Sequence, residues 1–175
     1  MKKIKRENLK LKMITKLVLP VMLYLISPNC IAQTDESVEQ RVNSINIQIG
    51  EIEKDTTKFR VVHSDIFGKS SEGGLLEKFY DGSKLRKANL ILYGENGQLK
   101  SQYYFLNEEL IFVLQTEERY ISSIAAGNTE VKSTETSKFY FSSNKLIRCL
   151  AAKTDNPVGC YEKEEGILEN LKLIK

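Results

Sequence analysis

The chain has 175 residues, with 26 Lys+Arg against 23 Asp+Glu, a formal charge of +3 and 41% hydrophobic residues. Those figures describe one globular domain and exclude a disordered tail or a bundle of membrane helices. A single His excludes two-His zinc chemistry, and the basic balance favours a polyanion partner only if the bases lie in the working domain.

The bases concentrate at the start. Lys2, Lys3, Lys5, Arg6, Lys10, Lys12 and Lys16 precede an apolar run from Leu17 to Ile26 that Pro20 interrupts. The small residues Cys30 and Ala32 follow, two apart. A basic segment, a short apolar segment and small residues read as a signal peptide over residues 1–32, cut after Ala32. The run is about half the length of a bilayer-spanning helix. The expected location is periplasmic or secreted, with the membrane met only through this leader. An outer-membrane lipoprotein anchored at Cys30 is the alternative, although Asn29 and Ser27-Pro28 stand where a lipobox has a small residue and Leu. Cleavage removes seven bases and one acid, Glu7, which turns +3 into −3. The nearest remaining basic cluster is Lys84, Arg86 and Lys87. A nucleic-acid partner therefore loses its support.

Residues 33–175 contain no linker rich in Pro, Gly or Ser and are expected to form one α+β domain. Val38, Val42, Ile45, Ile49 and Ile52 recur at helical spacing and predict an amphipathic helix over 35–53, capped by Thr34 or Asp35. From Phe59 the pattern is β. Strands are expected at Lys58–Ser64, Leu75–Tyr80, Lys84–Tyr93, Gln98–Leu106, Glu109–Gln115, Arg119–Ile124, Lys138–Ser142 and Lys145–Ala151. Short turns such as Asp81-Gly82, Asn96-Gly97, Asn107-Glu108 and Ser143-Asn144 permit only antiparallel neighbours. The expected fold is an N-terminal amphipathic helix on a curled antiparallel β-meander. A short C-terminal helix over Glu162–Ile174 lids the sheet. Alternation puts Leu99, Tyr103 and Phe105 on one strand face, and Leu110, Phe112 and Leu114 together on the next. The polar stretches His63–Gly74 and Ala125–Ser137 read as loops, where binding surfaces often sit.

One pattern repeats. Tyr80 to Leu85, Phe105 to Leu110 and Phe141 to Leu146 each set an aromatic, four turn residues, then Leu, while Tyr93 to Leu99 has one residue more. The aromatic and the Leu can pack as a cross-strand pair beside the turn. This echo resembles the hairpin repeats of MORN-type proteins over Leu75 to Leu146. The wider layout is similar to small uncharacterised secreted proteins of Gram-negative bacteria. The resemblance implies serial hairpins and assigns no functional residue.

Chemistry-bearing constellations are sparse. Cys149 and Cys160 are an even pair in an oxidising compartment, with Asp155 to Gly159 available as the turn between them, and predict a disulfide. Gly68-Lys69-Ser70 lacks the earlier Gly of a P-loop, which would fall at His63. His63, beside Ser64 and Asp65, is the only candidate base, yet neighbours in a strand point to opposite faces. No calcium-loop pattern occurs, and no catalytic, cofactor or metal residue is assigned. Glu108-Glu109, Glu117-Glu118 and Glu164-Glu165 are the paired carboxylates that a small envelope hydrolase would use. Tyr104 and Tyr140 alternate away from the dense inward aromatics, so an uncovered second face would present them as a tyrosine patch. The reading expected is a non-enzymatic binding module for a protein or glycan partner in the cell envelope.

Overall fold

Ser37 sets the start of the first helix. Its hydroxyl accepts the Gln40 N–H at 3.2 Å, and the Gln40 side chain accepts the Ser37 N–H at 3.0 Å. This reciprocal cap opens α1, Val38–Asp55, three residues later than expected. The computed structural model describes residues 37–127, 129–151 and 157–175. All of these belong to one compact unit, Glu36–Lys175. The expected signal peptide over residues 1–32, with Cys30, and the expected caps Thr34 and Asp35 lie outside the described residues.

A 3-10 turn, Thr56–Lys58, leads into a seven-stranded open sheet. Its strands are β1 Arg60–Ile66, β2 Gly74–Asp81, β3 Lys84–Gly94, β4 Gly97–Leu106, β5 Glu109–Tyr120, β6 Val131–Ser142 and β7 Lys145–Ala151. They lie in chain order and every pair is antiparallel. The α+β meander is therefore as expected, with two revisions. The two strands expected at Glu109–Gln115 and Arg119–Ile124 are one, because Thr116, Glu117 and Glu118 pair on both sides, with Lys100, Leu99 and Gln98 and with Thr136, Glu135 and Thr134. For the same reason much of the expected Ala125–Ser137 loop is the first half of β6. Polar residues persist in a strand wherever its face is left to solvent.

The repeated pattern is a bulged hairpin. Tyr80 pairs with Leu85, Phe105 with Leu110 and Phe141 with Leu146, and in each case the register shifts at the next pair inward. The extra residues, Arg86, Ile111 and Ile147, bend and twist the strand beside the turn. The bulge also changes faces. Leu110 joins Tyr103 and Phe105, whereas Phe112 packs with Tyr104 on the other side, so the expected Leu110–Phe112 face is broken. The longer copy has no bulge: Tyr93 pairs with Gln98, and Leu99 with Leu92.

Each sheet face carries a helix. On one, Leu76, Leu90, Tyr103, Phe105, Phe139 and Phe141 pack with Ile167 and Ile174 of α2, Pro157–Ile174. This helix starts five residues before the expected Glu162, with proline at its first position, where the missing N–H costs nothing. Pro157 and Gly159, expected in a turn, are therefore helical, while Asp155 and Asn156 lie outside the described residues. On the other face Val42, Ile45 and Ile52 of α1 pack on Tyr104, Ile111, Phe112 and Tyr140. Val38, expected in the apolar stripe, is 43% exposed.

Candidate functional site

Tyr104 and Tyr140 do share a face, as alternation requires, and each is 3% exposed. The expected open tyrosine patch is corrected: α1 covers it. The two rings flank Phe112 in a tilted row, with centroids 5.6 and 4.9 Å from it. Both hydroxyls are engaged by the helix. Tyr140 donates to Asn46 Oδ1 at 3.2 Å, and Tyr104 donates to Glu53 Oε1 at 2.6 Å.

The helix is held at heptad spacing. Glu39 pairs with Arg148 at 2.6 Å, Asn46 accepts from Tyr140, and Glu53 pairs with Lys87 at 2.5 Å. Positions seven apart lie on one side of a helix, so α1 crosses from β7 to β3 with polar ties beside its apolar stripe. Lys87 is the least expected member. Its side chain is 8% exposed, and its Nζ lies 5.3 Å from the Tyr104 ring centre and 5.8 Å from that of Phe79. The Lys84, Arg86, Lys87 cluster therefore does not offer three cations to solvent. Burial raises the Glu53 carboxyl, but hydrogen bonds from Lys87 and Tyr104 and the Lys87 charge outweigh it, holding the group below the ordinary value. Burial, then the bond to Glu53 and its charge, push the Tyr104 hydroxyl well above the ordinary phenol value.

The other candidates are dispersed. His63 is 61% exposed, with Nδ1 3.4 Å from Glu77, and it forms no triad with Ser64 and Asp65. Glu108 and Glu109 are exposed at a turn. Glu117 and Glu118 point to opposite faces, Glu117 to Arg119 at 3.0 Å and Glu118 to Lys100 at 2.8 Å. Glu164 accepts the Leu146 N–H at 3.3 Å. Among the described residues no group of three His, Cys, Asp or Glu is placed to hold a metal ion. Cys149 and Cys160 are joined, with Cα atoms 6.1 Å apart, tying β7 to the first turn of α2.

What remains is the half of the α1-side face toward the long connections. Its side chains follow from the register: Glu77, Asn89 with Ile91, Lys100 with Gln102, Thr116 with Glu118, and Thr136. They are half-buried, and most of the polar ones are held in cross-strand bonds. Asn89 donates to Glu77 at 3.1 Å, Gln98 and Lys100 donate to Glu118 at 2.6 and 2.8 Å, and Thr116 meets Thr136 at 3.5 Å. The bond from Lys100 chiefly holds the Glu118 carboxyl below its ordinary value, against burial.

The connections above this floor are stitched together. Tyr93 donates its N–H to Gly73 at 2.8 Å, and Ile124 and Tyr120 donate to Glu95 and Asn96, each at 2.9 Å. The β3–β4 turn thus braces both long connections, whereas the opposite end carries the tight turns at Gly82, Asn107-Glu108 and Ser143-Asn144. The sequence signal for this floor was present in the polar alternation of Gln98, Lys100 and Gln102. Alternation alone does not specify which half of the face α1 covers. Comparison with family models, curated proteins and solved structures gives no match for this chain.

Proposed function

We propose that this chain is an exported, non-enzymatic binding module that engages a protein or glycan of the cell envelope through the open half of its α1-side face. The observation carrying this reading is the unequal cover of the sheet. A helix crosses each face, yet among the described residues the apolar cluster under α1 includes Leu114 and not Ile91, so the floor formed by Asn89, Lys100, Gln102, Thr116, Glu118 and Thr136 lies along its margin and beyond it. An ordered polar floor offers directed hydrogen bonds with little rotamer entropy left to lose. The braced connections beside it supply a rigid rim. The disulfide supports export, since such bonds persist in oxidising compartments. The leader over residues 1–32 supports it by its charge and apolar pattern.

Site-specific photo-cross-linking in cells tests the reading. A cross-linker at Thr116 or Gln102 is expected to capture one discrete envelope component, and one at Ser143 on the tight-turn end is expected to capture none. Equal capture at the two ends, or none at the floor, overturns the binding face. Mass spectrometry of the mature chain checks the route: a start at Gln33 is expected, and a lipid on Cys30 would replace it with the lipoprotein alternative.

A further inference from the structure

An open sheet has two edges, and here they are treated differently. The β7 edge is engaged by α2 at two points: Glu164 accepts the Leu146 N–H, and Cys160 is bonded to Cys149. The β1 edge has none of this. Among the described residues β1 pairs with β2 alone, in an unbroken register from Arg60↔Tyr80 to Ile66↔Gly74. It has no proline and no bulge, two of the common guards of a strand edge. Its charges give little protection. Arg60 lies over the Tyr80 ring at 4.7 Å and His63 leans to Glu77 at 3.4 Å, both toward β2. Asp65 is exposed and has no ion-pair partner among the described residues. Two apolar side chains stand at the same edge, Val61 at 37% and Phe67 at 83% exposed.

We propose that the β1 edge pairs with the β1 edge of a second copy of this chain, antiparallel, about a two-fold axis at Ser64. The register follows from symmetry. Identical antiparallel strands continue each sheet face only if the paired residues point the same way, so the axis must pass through a residue. Centring on His63 sets His63 against itself and Arg60 against Ile66. Centring on Val62 sets Val61 against His63. Centring on Ser64 sets Val62 against Ile66 on one face and His63 against Asp65 on the other. One residue past the strand it brings Phe67 to the partner's Val61. Aliphatic meets aliphatic, acid meets base, and the two exposed apolar side chains cover each other. The dimer would be a continuous fourteen-stranded sheet with the two open floors side by side. A single strand pair is a small interface, so a reversible equilibrium is expected rather than an obligate dimer.

Sedimentation of the purified chain over a wide concentration range is expected to show monomer and dimer in exchange. Ser64→Lys places two ammonium groups face to face on the axis and is expected to weaken the dimer by about tenfold or more, without changing the melting of the monomer. Ser64→Cys is expected to oxidise to a covalent dimer faster than His63→Cys, because only the axial residue meets its own copy. A chain that stays monomeric at every concentration overturns the proposal. So does a dimer that Ser64→Lys leaves intact, or one that cross-links better through His63→Cys or Leu150→Cys on the β7 edge.

Discussion

Lys87 carries a charge at a site that is 8% exposed, and Glu53 is what makes it tolerable. Removing one partner of a fully buried pair costs about 3–5 kcal/mol. Glu53 is 42% exposed, so Glu53→Gln is expected to cost less, about 1–3 kcal/mol, in urea unfolding. Tyr104→Phe, which removes the hydroxyl that donates to Glu53 and also lies 3.4 Å from Gln102 Oε1, is expected to cost about 1 kcal/mol. The acid limb has a definite sign. The Glu53 carboxyl is held below its ordinary 4.5, so its contribution is complete above that value and is lost as pH falls through the folded value. The acid limb of stability is therefore expected to be shallower in Glu53→Gln than in the parent. The shared face of Tyr104 and Tyr140 was legible from alternation alone, and their cover was not. Yet Tyr103-Tyr104-Phe105 and Phe139-Tyr140-Phe141 held the signal. An apolar run without polar alternation belongs to a strand buried on both sides.

At the scale of elements, the hairpins show both what sequence conveys and where it fails. The aromatic-to-Leu spacing marks the three bulged turns because the geometry there is local. Alternation alone leaves Phe112 with Leu110, whereas one extra residue, Ile111, reverses the faces that follow. In the second of these turns Asn107 and Glu108 have φ of 50° and 68°. Asn tolerates this left-handed region, whereas Glu occupies it at a steric cost. Glu108→Gly is therefore expected to stabilise by about 1 kcal/mol, read as a raised urea midpoint with unchanged slope. The opposite substitution fits the helices. A Cβ at Gly50 in α1 or Gly166 in α2 would meet nothing within 4 Å, and neither residue has a left-handed φ. Gly50→Ala and Gly166→Ala are each expected to add up to about 1 kcal/mol.

At the scale of the molecule, the two helices among the described residues are fastened by different means. α1 crosses its face on three polar ties and an apolar stripe. α2 is fixed covalently at its first turn, and Lys69 reaches Glu169 at 2.9 Å near its other end. Ile167 and Ile174, 0% and 1% exposed, anchor α2 independently of the bond. Reduction should therefore lower stability without releasing the helix. The residues closed by the bond are separated by 11 positions, and in the loop-entropy model so short a loop contributes about 2–3 kcal/mol. The expected outcome of reduction, or of the Cys149→Ser and Cys160→Ser pair, is a single unfolding transition at lower urea. Its far-ultraviolet dichroism in water should match that of the oxidised chain. Amide exchange distinguishes the alternatives. Amides in the last turns of α2 should lose protection only in step with the sheet. Early exchange throughout α2 would show that the disulfide, and not the apolar anchor, holds the helix on its face.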